Sequence, residues 1–171
     1  MKKYKKLLWV LLGILAAFLV FALWYRYRYS MEVVEPYEVN SPDVETKILI
    51  ATQGSDFKDR VTQGIVGYYA PDSIYMRIID IKDLHGIDPK DFDAVLIMHT
   101  WENWKPPRAV KTFVDRTRIY GSRIVVVTTS GEGSYKMEGV DALVGESILE
   151  NVPVFIERIT DRLDPLLAGE P

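Results

Sequence analysis

The hydrophobic positions of the chain form one long run at its start and shorter patterns after it. Residues 7–25 read LLWVLLGILAAFLVFALWY, which is 19 positions without a charge. As a helix, this run would be about 28 Å long, close to the thickness of a bilayer's hydrocarbon core. It exceeds the hydrophobic part of a signal peptide, and bulky residues follow it instead of a small-residue cleavage site. We predict a single N-terminal transmembrane helix, with a cleaved signal peptide as the alternative.

Beyond residue 46, short apolar runs alternate with segments that have apolar residues at helical spacing. The apolar runs, which are typical of buried strands, are residues 47–52, 73–81, 93–100, 123–129 and 138–145. The amphipathic segments predict helices at residues 56–69, 107–119 and 148–167. Wholly apolar strands that alternate with amphipathic helices indicate an α/β fold with a parallel sheet covered on both faces.

Charge divides the chain at nearly the same places. Residues 1–31 carry six Lys or Arg and no acid, residues 32–46 carry five acids and no base, and residues 47–171 have a net charge of −4. The acidic segment also contains two prolines and lacks periodicity, which is typical of an extended spacer. We therefore predict an anchor with its basic flank, an acidic linker and a folded domain, at residues 1–30, 31–46 and 47–171.

The charges also bear on location and partners. Four lysines precede the apolar run, whereas Arg26 and Arg28 follow it. Because positive residues tend to stay inside, we predict a single-pass cell-membrane protein with a cytoplasmic N-terminus and an extracytoplasmic domain. The two arginines leave a cytoplasmic domain as the alternative. An acidic domain is not expected to bind nucleic acid, while a redox or membrane-protein partner stays open.

The sequence lacks the residues or motifs that several classes of enzyme and metal site require. The chain has no cysteine, which excludes thiolate nucleophiles, disulfides and cysteine-ligated metals. Its two histidines, His85 and His99, are not spaced as metal ligands, so no metal is expected. The sequence contains neither the nucleophile elbow of a hydrolase nor a P-loop. Whether the chain is an enzyme stays open.

Three polar loops follow predicted strands at the edge where parallel sheets bind ligands. Gly, Ser and Thr before a helix suit a phosphate, and tryptophan rings suit stacking on a flat ligand. Each loop also has an ordinary explanation, as a helix cap, as packing over the sheet edge or as a surface loop. The candidate residues are Thr52, Gly54, Ser55, Asp56 and Lys58 in the first loop, Thr100, Trp101, Asn103 and Trp104 in the second, and Ser130, Gly131, Gly133 and Tyr135 in the third.

These loops, in this order, resemble those of the flavodoxin family. The clearest match is DFDAVLI at residues 91–97, followed by HTWENWKPPRAVKTFVD, and the preceding IDIKDLHGIDPKDF is similar to the family's acidic connection. The resemblance implies a three-layer sandwich with a parallel sheet of about five strands in the order 2-1-3-4-5. It also implies FMN as cofactor, with its phosphate in the first loop and its isoalloxazine ring between the other two.

The first loop departs from the family's Ser/Thr-x-Thr-Gly-Asn-Thr pattern, because Gly54, Ser55, Asp56 and Phe57 replace its last four residues. The loss of two hydroxyls and the gain of a carboxylate weaken the expected phosphate site, and Lys58 is a candidate to compensate. Two functions therefore stay open. One is a membrane-anchored FMN protein for electron transfer or quinone-type reduction. The other is a flavodoxin-like domain without FMN, acting as a binding or accessory module at the membrane surface.

Overall fold

The first compact unit of the chain is a single long helix. The computed structural model describes residues 2–29, 32–102 and 104–169, and it divides into the units Met1–Met31 and Glu32–Pro171. Helix α1 spans Lys2–Tyr29. Its residues 4–24 are long and apolar enough to cross a membrane, a test that a signal sequence also passes.

The second unit is built on a six-stranded, mostly parallel sheet with the order β1-β3-β2-β4-β5-β6. The edge strand β1 runs antiparallel to β3, and the other neighbours are parallel. The strands are β1 (Tyr37–Val39), β2 (Lys47–Thr52), β3 (Tyr75–Asp80), β4 (Ala94–Thr100), β5 (Ile124–Thr129) and β6 (Asp141–Gly145). The mixed α/β fold expected from the hydrophobic pattern is confirmed, and each predicted strand lies within three residues of its observed bounds.

Helices cover both faces of the sheet. Helices α2 (Asp56–Tyr69) and α4 (Val152–Leu167) pack on one face. Helix α3 (Arg108–Arg116) lies on the other face, together with a 3-10 turn at Ile81–Gly86. The three helices follow from the amphipathic spacing of their segments, since each presents an apolar stripe to the sheet.

Side chains alternate between the two faces along the buried strands and so form two separate cores. Ile48 and Ile50 of β2 pack with Phe57 of α2 and its neighbours, whereas Leu49 packs with Phe113 of α3. All three β2 residues are fully buried. Burial on both sides explains why these strands read as continuous apolar runs in the sequence.

The predicted strand count of about five is too low by one. The extra strand is β1, which comes from the predicted acidic linker and pairs with the exposed edge of β3. In this register Glu38 lies directly opposite Arg77, and opposite charges across an antiparallel pair are favourable. A three-residue strand of this kind has too short a hydrophobic pattern to be recognised from the sequence.

The prediction that residues 31–46 form a spacer does not match the structure, because residues 32–46 belong to the compact domain. The amide of Val34 donates to Asp80 Oδ2 at 3.0 Å, and Asn40 Nδ2 donates to the carbonyl of Ile74 at 2.8 Å. These bonds, with β1, hold the acidic segment along the sheet. The two prolines favour extended backbone, which suits such an edge position as well as it suits a linker.

Candidate functional site

The three polar loops meet at the carboxyl edge of the sheet, as their positions after parallel strands predict. Gln53 joins the first loop to the second: its Oε1 accepts from the Thr100 amide at 2.6 Å and its Nε2 donates to Glu102 Oε1 at 2.7 Å. The Trp101 amide donates to the Thr129 carbonyl at 2.7 Å and so joins the second loop to the third. Gln53 is not among the predicted site residues, since a glutamine in a loop carries no distinctive signal.

The first loop is covered by the chain's own acidic segment, which we call the strap (residues 32–34). The Gly54 amide donates to the Glu32 carbonyl at 2.9 Å, and the Glu32 amide donates back to the Gly54 carbonyl at 3.3 Å. A Cβ atom at Gly54 would lie 2.7 Å from the Glu32 carbonyl oxygen. The glycine therefore permits a close backbone approach, but the strap makes that approach and no ligand is required.

Ser55 is the N-cap residue of helix α2 and directly precedes its first turn. Its Oγ accepts from the Lys58 amide at 3.3 Å, which satisfies one of the free amides of the first turn. Thr52 is buried, and its Oγ1 donates to the Gln53 carbonyl at 3.2 Å. Asp56 is exposed at the start of the helix, where a carboxylate is favourable. These residues behave as a capped strand-to-helix turn, which is the ordinary explanation for this loop.

Lys58 is the most unusual residue of the first loop because it is only 1% exposed. Its Nζ donates to Thr100 Oγ1 at 2.7 Å and to Ser55 Oγ at 3.4 Å. Thr100 Oγ1 lies in turn 3.1 Å from Thr129 Oγ1, so one ammonium group connects all three loops. Burial lowers the pKa of Lys58 to about 8, although Asp59 and Glu102 act in the opposite direction.

Acidic groups surround the mouth of the first loop. Glu32 and Asp56 are exposed beside it, and burial together with these two charges raises the pKa of Asp59 above its ordinary value. A phosphate here would meet carboxylates, an already bonded Gly54 amide and a serine engaged in capping. With the strap in place, the first loop does not fit the phosphate of FMN.

The second and third loops form an aromatic surface. Trp101 and Tyr135 stack with ring centroids 5.5 Å apart and an angle of 3° between their planes. Trp104 meets the same Tyr135 ring edge-on at 6.0 Å and is 82% exposed. We call Trp101, Trp104 and Tyr135 the aromatic edge. The predicted site residue Asn103 lies outside the described residues.

A tight turn of the backbone places the side chain of Trp104 at the surface. Glu102 and Lys105 exchange both backbone hydrogen bonds, at 3.0 and 3.1 Å, and Trp104 precedes the second of them in the chain. Trp104 has φ = 64°, in the left-handed region that glycine usually occupies in such turns. A bulky residue with positive φ is uncommon, because its Cβ crowds the backbone.

The remaining predicted residues of the third loop shape its turn. Ser130 is 7% exposed, and its Oγ has no hydrogen-bond partner in the described part of the chain. Gly133 has φ = 62° and donates its amide to the Ser130 carbonyl at 3.2 Å, so it closes a turn that favours glycine. Gly131 is exposed, and nothing lies within 4 Å of the position its Cβ would take.

His99 lies beneath the second loop as a core residue. It is fully buried, with Nε2 3.0 Å from Thr128 Oγ1 and Nδ1 3.2 Å from the Thr100 carbonyl. Burial lowers its pKa to about 4, so the ring is neutral near pH 7 and its Nδ1–H donates to the carbonyl. Across residues 2–29, 32–102 and 104–169, no three His, Asp or Glu side chains are grouped to hold a metal ion.

A groove of about 360 Å³ adjoins the aromatic edge, between α3 and the chain after β5. Trp101 contributes to one wall, and its Nε1 is buried without a hydrogen-bond partner among the described residues. The lining of the groove combines buried apolar side chains, such as Val114 and Met137, with exposed charged ones. Its other lining residues are Pro106, Lys111, Val114, Asp115, Arg118, Lys136, Met137 and Glu138.

Comparisons with known proteins do not assign the chain to a family. No protein-family model matches it, and no curated protein sequence matches it significantly. Among solved structures it is similar to the trehalose repressor from Escherichia coli, with a TM-score of 0.39 and 8% sequence identity over 58% of this chain. The match spans 37% of the repressor, little more than a third of its length. A similarity this low carries no argument about fold or function.

Proposed function

We propose that this chain is a membrane-anchored, flavodoxin-like domain that works without FMN, as a binding or accessory module at the membrane surface. The anchor is α1, whose residues 4–24 suit a membrane span. The lysines at its start favour a cytoplasmic N-terminus and a domain outside the cytoplasm. The sequence of parallel neighbours β3-β2-β4-β5-β6 supports the flavodoxin-like part of the proposal.

The observation that carries the proposal is the bond between the strap and the first loop. Phosphate binding at such a loop depends on backbone amides that are free to point at the anion. Here the Gly54 amide donates to Glu32 at 2.9 Å, within the same domain. A ligand phosphate would have to displace the strap and then sit among Glu32, Asp56 and Asp59.

A binding role is supported by the contrast between this closed loop and the exposed aromatic edge. Trp104 presents 82% of its surface to solvent on a turn that holds its backbone in an unfavourable conformation. Large aromatic side chains contribute strongly to binding when a partner covers them. The aromatic edge is therefore the surface through which we expect the module to act.

An FMN protein for electron transfer or quinone-type reduction remains the second candidate. It is favoured by the parallel rings of Trp101 and Tyr135 and by the groove beside them, which is of the size that holds a small molecule. The second and third loops thus suit a flat ligand better than the first loop suits its phosphate. Because the phosphate loop does not fit the group, no redox step is assigned to this chain.

An FMN titration of the full chain separates the two candidates. The protein in detergent micelles is mixed with FMN, flavin fluorescence is followed to saturation, and visible flavin absorbance is then measured after gel filtration. We expect no saturable fluorescence change and no flavin eluting with the protein.

The opposite result would overturn the proposal. It would be a saturable loss of flavin fluorescence with flavin retained through gel filtration. The Trp101→Ala variant serves as the matched control. It removes the half-buried ring of the stack, so specific binding in the second loop should disappear in it while nonspecific binding should not.

A further inference from the structure

We propose that the aromatic edge docks on the lipid bilayer itself, with Trp104 inserted at the headgroup boundary. This inference rests on the proposed function, because it names the partner of the surface through which the module acts. It would make the membrane a second contact of the chain, in addition to the span in α1. The position of the aromatic edge and its chemistry favour a bilayer.

The strap follows the apolar stretch of α1 closely in the sequence. Residues 25–31 join the apolar stretch that ends at Trp24 to the strap at Glu32. Eight Cα-to-Cα steps reach no more than about 30 Å even when fully extended. Glu32 is bonded to Gly54, just beyond the carboxyl end of β2. The chain therefore enters the domain at the carboxyl edge of the sheet.

The aromatic edge lies at that same end of the sheet. Trp101 follows β4 directly, and its amide bonds to the last residue of β5, Thr129. Because β2, β4 and β5 are parallel, their carboxyl ends share one edge. The opposite edge carries Ile119, in the turn at Arg118–Arg123 that leads into the amino end of β5.

The side chains of the aromatic edge have the chemistry that a bilayer boundary accepts. Tryptophan and tyrosine prefer the boundary between headgroups and acyl chains, where an apolar ring meets water. Trp104 and Tyr135 meet edge-on, so one insertion would bury parts of both rings. A single exposed tryptophan binds a membrane weakly on its own. A tether that keeps it near the bilayer raises its effective concentration and makes weak binding sufficient.

The charges around the aromatic edge leave the apolar boundary of the bilayer as the feature to be recognised. The second and third loops carry Glu102, Lys105, Glu132, Lys136 and Glu138, a net charge of −1. No polybasic patch is present on these loops to attract anionic headgroups. Docking should therefore occur on zwitterionic vesicles and should persist in high salt.

The experiment uses the full chain reconstituted in phosphatidylcholine vesicles that contain a lipid with a shallow nitroxide quencher. Since the chain has no cysteine, one introduced cysteine carries the fluorescent label at a single position. Lys105→Cys reports from the aromatic edge and Ser122→Cys from the opposite edge, and both side chains are exposed. Either orientation of the inserted chain gives the same readout, because both leaflets contain the quencher.

We expect the label at position 105 to be quenched several-fold more strongly than the label at position 122. Trp104→Ala should remove at least half of that difference, with or without high salt. Ile119→Ala is the matched control, since Ile119 is 84% exposed and Trp104 is 82% exposed, but it lies at the other edge. It should leave quenching at position 105 unchanged.

Equal quenching at the two positions, or a difference that Trp104→Ala leaves intact, would overturn the inference. Either result in vesicles without other proteins would assign the aromatic edge to a protein partner instead. The FMN titration fails or succeeds independently of this result. Retained flavin together with edge-specific quenching would refute the cofactor-free module and keep the docking surface.

Discussion

The first loop and the aromatic edge occupy the same end of the same sheet, yet their surfaces differ. The first loop is covered by the strap, and its lysine is 1% exposed. Within the part of the chain that the structure describes, nothing comparable covers Trp104, which is 82% exposed. Chain order predicts that both contact one ligand, since ligands of parallel sheets bind at this edge.

This difference shows that a glycine in a strand-to-helix turn indicates an anion site only where the backbone amides of the turn are free to bind a ligand. Backbone donors need partners when they are buried, and the chain itself supplies one from 22 residues upstream. On the aromatic edge, by contrast, Trp104 stays 82% exposed although its ring meets Tyr135 edge-on. The surfaces that remain open therefore define what the domain can bind.

The largest effect that we expect is a pH dependence of stability caused by Lys58, which is buried beside the covered first loop. Its pKa in the folded domain is lowered to about 8, so the unfolded chain binds more protons between pH 8 and its ordinary pKa near 10.5. Stability must then rise with pH in this window, by about 2 kcal/mol between pH 8 and 9.5. Urea unfolding of the full chain in micelles, followed by near-ultraviolet circular dichroism, measures the change.

Lys58→Met is the control for this titration. Methionine keeps an unbranched apolar side chain at this buried position and removes the ionisable group. Its stability should vary little across the same pH range. A slope that persists in the variant would mean that other groups cause the pH dependence and that Lys58 is not a strained buried charge.

Gly54→Ala should open the first loop at a cost of about 1 to 2 kcal/mol, in line with two lost backbone hydrogen bonds. The new Cβ would lie 2.7 Å from the Glu32 carbonyl oxygen, so the strap must move away. Hydrogen exchange at Glu32 and proteolysis within residues 32–36 measure the release. Gly131→Ala is the matched control, because its Cβ would meet nothing within 4 Å. Unchanged protection of the strap in Gly54→Ala would show that the close contact does not hold it.

The smallest effect that we expect is a difference in stability between two variants of Trp104, on the aromatic edge. Trp104→Gly should be more stable than Trp104→Ala by about 1 kcal/mol, because glycine has no Cβ to crowd the backbone in the left-handed conformation. Thermal unfolding of both variants measures the difference. Equal stability would mean that the turn relaxes easily and does not force the tryptophan outward.

The structure shows where the candidate residues lie and adds contacts that chain order does not reveal. Thr100 ends a parallel strand, and Trp101 and Ser130 each follow one, so chain order alone places all three at the carboxyl edge. The bonds of Gln53 to Thr100 and Glu102 could not be foreseen, since they join residues 47 and 49 positions apart. The linker prediction failed for the same reason, because β1 is stabilised by pairing with β3 and not by its own pattern.

The sequence by itself determined the apolar N-terminal helix, the parallel strands and the helices that cover them, since hydrophobic periodicity acts over neighbouring residues. It also determined which loops share an edge, because parallel strands end on the same side. Only the tertiary structure decided that the strap covers Gly54, that Lys58 is buried beneath Thr100 and that Trp104 stays exposed. Those outcomes depend on contacts between segments that are distant in the sequence. A local pattern of residues contains no information about which distant group will bond to a given backbone amide.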